Sequence, residues 1–120
     1  MKHSLWLLSL LPSLVLASPL GAISDITIQA PDTKVAPECA YFKPSRADVQ
    51  AFFKRAVLIT SRQEHDYFLH GPCTADGTFK TRYGQWEWRM RNMGTAYVVD
   101  TLGNAYIFAD PKQESSLADD

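Results

Sequence analysis

Residues 85–91 alternate without a break. Trp86, Trp88 and Met90 fall on one side of an extended chain, and Gln85, Glu87, Arg89 and Arg91 fall on the other. Burying both rows in one small domain would take arginines out of water unpaired, at a cost of several kcal/mol each. The segment therefore predicts a sheet with one apolar and one solvated face, the tryptophans under cover and the arginines open. Stacking of a sugar or peptide on the tryptophans is the weaker reading, because alternating tryptophans on a central strand usually form core.

Asp76-Gly77, Tyr83-Gly84, Asn92-Met93-Gly94 and Gly103-Asn104 punctuate the chain around this strand at hairpin spacing. They predict strands at 78–82, 85–91, 95–101 and 105–110. Ahead of them, Ser45 followed by Asp48 imitates a capping box. Val49, Phe52, Phe53 and Ala56 then form one apolar stripe at helical spacing, with Arg46, Gln50, Lys54 and Arg55 toward the other side. The β-branched run from Val57 can extend the helix or begin an extended segment; the favoured reading ends the helix near Leu58. Ser61 with Glu64 signals a short second helical turn through Asp66. The expected fold class is α+β, an N-terminal helix packed on one face of an antiparallel meander sheet of three to five strands.

Register decides which aromatic groups stay exposed. A turn at Gly103-Asn104 would put Tyr97, Val99, Tyr106 and Phe108 on one face and Val98, Leu102 and Ile107 on the other. A three-residue loop at 92–94 joins the tryptophan row to the Val98 face, and a four-residue loop joins it to the Tyr97 face. In the three-residue case, Tyr97, Tyr106 and Phe108 would lie beside Arg89 and Arg91 as an open patch. Arginine beside tyrosine is enriched at protein interfaces and suits planar contacts to carboxylates. The expected partner-binding residues are accordingly Arg89, Arg91, Tyr97 and Glu87.

Residues 1–17 read as a secretory signal peptide. Lys2 and His3 precede an apolar stretch from Leu5 to Ala17, interrupted only by Ser9, Pro12 and Ser13, and Val15-Leu16-Ala17 supplies the cleavage pattern. That stretch is too short for a bilayer core needing about 20 residues. A cut after Ala22 fits less well than one after Ala17, because Leu20 is a poor outer residue. The expected organisation is a signal peptide at 1–17, an extended arm at 18–38, a single α+β domain at 39–110 and a disordered acidic tail at 111–120. Ile26-Thr27-Ile28 is positioned to add an edge strand. The expected location is periplasmic or secreted, with no membrane span once the signal is removed.

The chain carries 12 basic and 13 acidic residues, and losing Lys2 with the signal moves the net charge from −1 to −2. This balance offers no footprint for nucleic acid, which a strongly basic domain would provide. In an exported chain the only two cysteines, Cys39 and Cys73, favour a disulfide. It would close a loop of about 34 residues, worth about 3–4 kcal/mol from chain entropy. A free nucleophilic Cys73 served by His70 is the competing reading.

Glu64, His65, Asp66 and His70 form the densest ionisable cluster. The histidine spacing is not one familiar from zinc sites, and the chain contains neither a nucleophile elbow nor a glycine-rich phosphate loop. No metal or cofactor is expected. Phe52-Phe53-x-x-Ala56, Glu64-His65-Asp66-Tyr67, Cys73-x-x-x-Gly77 and Gly84-x-Trp86-x-Trp88 together resemble small exported one-disulfide proteins of Gram-negative bacteria, which include uncharacterised and immunity-type proteins. The resemblance covers residues 39–110 and implies a periplasmic home and a binding role. The leading expectation is a non-enzymatic protein-binding domain, an immunity-type or inhibitor protein that occludes a toxin or envelope enzyme. The alternative is a small periplasmic hydrolase or ligand-binding domain using His65, Asp66 and His70.

Overall fold

A computed structural model describes residues 20–29 and 37–114. The expected signal peptide, residues 18–19 and 30–36 of the arm, and residues 115–120 of the tail lie outside the described residues.

The described chain forms a six-stranded, wholly antiparallel sheet with two short helices. The strands are β1 (Ser24–Gln29), β2 (Val57–Ile59), β3 (Thr74–Thr81), β4 (Gly84–Arg91), β5 (Thr95–Val99) and β6 (Ala105–Ala109). Their spatial order is β1-β3-β4-β5-β6-β2, so the expected meander β3–β6 is flanked by a strand at each edge. This corrects the expectation of three to five strands under an N-terminal helix. β1 precedes the helix α1 (Arg46–Arg55), and β2 follows it directly.

The extension to β2 has a local cause. Ser45 and Asp48 close the expected capping box, the Ser45 hydroxyl accepting from the Asp48 amide at 3.0 Å and the Ser45 amide donating to the Asp48 carboxylate at 2.9 Å. The helix then stops at Arg55 rather than near Leu58. Ala56 turns extended while its N–H still donates to the Phe52 carbonyl. Val57, Leu58 and Ile59 gain more from pairing with Ala109, Phe108 and Ile107 than from another helical turn, to which β-branched residues are poorly suited. Helix α2 (Ser61–Tyr67) begins one residue ahead of the expected signal, capped by Thr60 with Gln63.

Asp76-Gly77 lies inside β3 rather than at a turn. A side chain at Gly77 would collide with the Thr27 carbonyl of β1 and crowd the Trp88 ring. The glycine serves the close approach of a neighbouring strand, a second use of glycine within sheets. Trp88 covers it and donates its indole N–H to the Thr78 carbonyl at 3.1 Å.

The loop at 92–94 has three residues, and Trp88 pairs with Val98, so the tryptophan row joins the Val98 face. The final hairpin differs from expectation. Val99 pairs with Ala105 across a five-residue loop, and the Asp100 carboxylate gathers the Leu102 and Asn104 amides, the Asn104 side chain and the Tyr106 hydroxyl. Relative to a turn at Gly103-Asn104 this changes the parity of the pairing. Tyr106 and Phe108 therefore face the core with Val98, while Ile107 joins Tyr97 and Val99. The expected Tyr97–Tyr106–Phe108 patch does not form.

The core lies between α1 and this apolar face. Phe53, 1% exposed, meets Phe52, Phe79 and Phe108 edge-on at centroid distances of 5.0, 5.3 and 5.9 Å. Trp88, Met90, Val98 and Val49 complete it, with Leu20, Ile23 and Ile26 from the N-terminal segment. Cys39 and Cys73 form a disulfide, both residues buried, which ties the 3-10 turn Pro37–Cys39 to the entry of β3. Past β6, Asp110 caps a 3-10 turn, Pro111–Gln113, within the segment expected to be tail.

Candidate binding face

With α1 on one side, the sheet turns its other side outward as the alternation in β4 requires. Register places Asp76 and Thr78 of β3 opposite Arg89 and Glu87 of β4, and places Tyr97 and Val99 of β5 opposite the same two residues. Thr27 and Gln29 of β1 extend this row, opposite Thr78 and Asp76. Together they line a cleft of about 610 Å³ across β1, β3, β4 and β5, a size typical of small-ligand or side-chain sites. Three expected partner residues, Glu87, Arg89 and Tyr97, line it; Arg91 lies just beyond its lining.

The charges in and around the cleft are unequally engaged. Arg89 donates through Nη2 to Asp76 Oδ2 at 3.2 Å, a cross-strand pair with the arginine exposed and the aspartate half-buried. Arg91 donates through Nη1 to the Gly71 carbonyl at 2.9 Å, and its guanidinium carbon sits 5.7 Å from the Tyr97 ring centroid. Its Nε is buried and has no hydrogen-bond partner among the described residues. The Tyr97 hydroxyl donates to Glu64 Oε1 of α2 at 3.1 Å. Burial, with the Glu64 carboxylate second, pushes the Tyr97 phenol above its ordinary range. Tyr97 is thus fixed from two sides, which pre-orders the ring that forms one wall of the cleft. Thr27 and Thr78 share a hydroxyl–hydroxyl bond of 2.8 Å on the opposite wall.

The alternative cluster is only partly assembled. His65 Nδ1 and Asp66 Oδ1 are 3.1 Å apart, and Asp66 also accepts from Arg62 Nε at 3.2 Å. The His65 contact, with Arg62 after it, holds the Asp66 carboxyl below its ordinary value. His65 is exposed, and the His70 side chain makes no hydrogen bond or ion pair with the described residues. Among the described residues, no group of three or more His, Cys, Asp or Glu side chains is placed to hold a metal ion. Cys73 is not a free nucleophile, since its sulfur is in the disulfide.

Sequence reasoning missed Asp76, Thr78 and Glu64 as parts of this face. Reading Asp76-Gly77 as a turn hid the alternation of Asp76, Thr78 and Lys80 along β3. The Glu64–Tyr97 bond joins residues 33 apart, and no local pattern announces it. The chain matches no protein-family model, no curated protein and no solved structure. Among the described residues no helix is long and apolar enough to cross a membrane.

Proposed function

We propose that this chain is an exported, non-enzymatic protein-binding domain of the immunity or inhibitor type, acting in the periplasm or outside the cell on a toxin or envelope enzyme. The observation that carries this reading is the open sheet face, where Glu87, Arg89 and a doubly anchored Tyr97 border one concavity. Pre-ordered aromatic and arginine side chains are the groups that contribute most per residue at protein interfaces. The buried disulfide is compatible with an oxidising compartment, and the apolar leader supplies the export signal.

Arg89 touches the partner directly in this reading. Arg91 acts through Tyr97 and Gly71, and is a positioning residue. The test is affinity capture from periplasmic extract with the wild type and with Arg89→Ala. The variant is expected to keep its thermal midpoint and to capture the same partner at least tenfold more weakly, a change of about 1.4 kcal/mol. Capture at wild-type strength would place the interface elsewhere on the molecule.

A further inference from the structure

The two arginines were the sequence's candidates for gripping partner carboxylates, yet both have internal partners. Arg89 is paired with Asp76, and Arg91 is held by the Gly71 carbonyl and the Tyr97 ring. Tyr97 spends its hydroxyl on Glu64. Glu87 alone among the charged cleft residues has no such engagement. It is exposed, its cross-strand neighbours are Thr78 and Val99, and its side chain makes no hydrogen bond or ion pair with the described residues. Since the charges of Asp76 and Arg89 offset each other, the cleft presents one uncompensated negative charge. It stands beside the apolar surfaces of Val99 and Tyr97.

We infer that the cleft receives an arginine side chain of the protein partner, its guanidinium on the Glu87 carboxylate and its aliphatic stem along Val99 and Tyr97. A carboxylate with both oxygens uncommitted accepts a guanidinium through two parallel N–H···O bonds, which a lysine ammonium cannot reproduce. The stem of an arginine covers apolar surface while its head stays polar. This deepens the proposed function and rests on it: the same face binds, Arg89 keeps its own contact with the partner, and the group that the partner places on Glu87 is basic.

The test is an amide-resolved NMR titration of the 15N-labelled, disulfide-bonded protein with three acetylated, amidated tripeptides, Ala-X-Ala, where X is arginine, citrulline or glutamate. The arginine peptide is expected to shift the Thr78, Glu87 and Val99 amides saturably. The citrulline peptide, of the same shape without the charge, should bind at least fivefold more weakly. Glu87→Gln should weaken the arginine peptide at least fivefold with the remaining spectrum superimposable, and Glu87→Asp should retain most of the binding. The inference is overturned if Glu87→Gln titrates like the wild type, if the glutamate peptide saturates these amides instead, or if the arginine peptide leaves them unmoved. Any of these results with an intact Arg89 dependence of partner capture removes the arginine alone. Loss of that dependence as well removes the face.

Discussion

At the scale of single residues, Asp110 is the most heavily hydrogen-bonded buried side chain among the described residues. It is 2% exposed, and its carboxylate accepts from Arg55 Nε and Nη2 at 3.2 and 2.8 Å, from the Lys112 amide at 3.0 Å and from the Gln113 side chain at 3.3 Å. Burial alone would raise its pKa, but the Arg55 bond, followed by the Lys112 and Gln113 donors, outweighs burial and leaves the carboxyl below its unfolded value of 3.8. A lowered folded-state value contributes stability above that pH and loses it as the pH falls through the folded-state value. Asp110→Asn is therefore expected to cost about 2 kcal/mol near neutrality, a figure kept modest because Arg55 can rehydrate. Its deficit against the wild type should shrink in strong acid. Urea midpoints of both proteins at about pH 7 and about pH 2.5 check this; a deficit that stays constant would assign the loss to packing.

At the scale of elements, α1 and β1 are held by different means. The helix is seated by Phe53, so Phe53→Ala should lower the urea midpoint by an amount worth about 3–5 kcal/mol. β1 is seated by the absence of a side chain. Gly77→Ala should force the Thr27 backbone away and cost about 1–3 kcal/mol by overpacking, with amide exchange accelerating in β1 and β3 ahead of the other strands. Accelerated exchange spread evenly over the sheet would contradict local release. These elements also mark what was legible in the sequence. The Ser45–Asp48 cap, the helical stripe and the tryptophan row each carry their signal within a few residues, and all three appear where read. β2 was legible only as the less favoured of two readings, because Val57–Ile59 continues the helix's apolar character and only β6, some 50 residues away, makes it extended. The facing of Tyr106 and Phe108 depended on a loop whose length the Asp100 hydrogen bonds set. Of the candidate site, the β4 half was readable from alternation alone, and the β3 half was hidden by the strand-internal Gly77.

At the scale of the whole molecule, the disulfide and the N-terminal segment bound what any processed form of the chain must keep. Leu20, Ile23 and Ile26 belong to the core cluster, so removal of a signal after Ala17 would leave the core complete, whereas a cut after Ala22 would delete Leu20. If the expected signal is removed, intact mass of the processed chain should therefore give a start at Ser18, and a start at Ile23 would show that Leu20 is dispensable. Replacing Cys39 and Cys73 together by serine should cost about 3–4 kcal/mol through the freed chain entropy of the open loop. Thermal midpoints of the oxidised protein and the double variant measure it, and equal midpoints would mean the cross-link is redundant.

The position of that bridge also sets how the protein answers to tension. Cys39 precedes α1 and Cys73 precedes β3, so a pull applied between the chain ends runs from β1 through the sulfurs into the meander and bypasses α1, β2 and α2. The bridged cysteines are 34 positions apart in sequence, and at about 3.4 Å per extended residue the bridge withholds roughly 110 Å of contour length from the stretched chain. A single molecule drawn out under oxidising conditions should stop short by that length, and release it only when reductant reaches the bond.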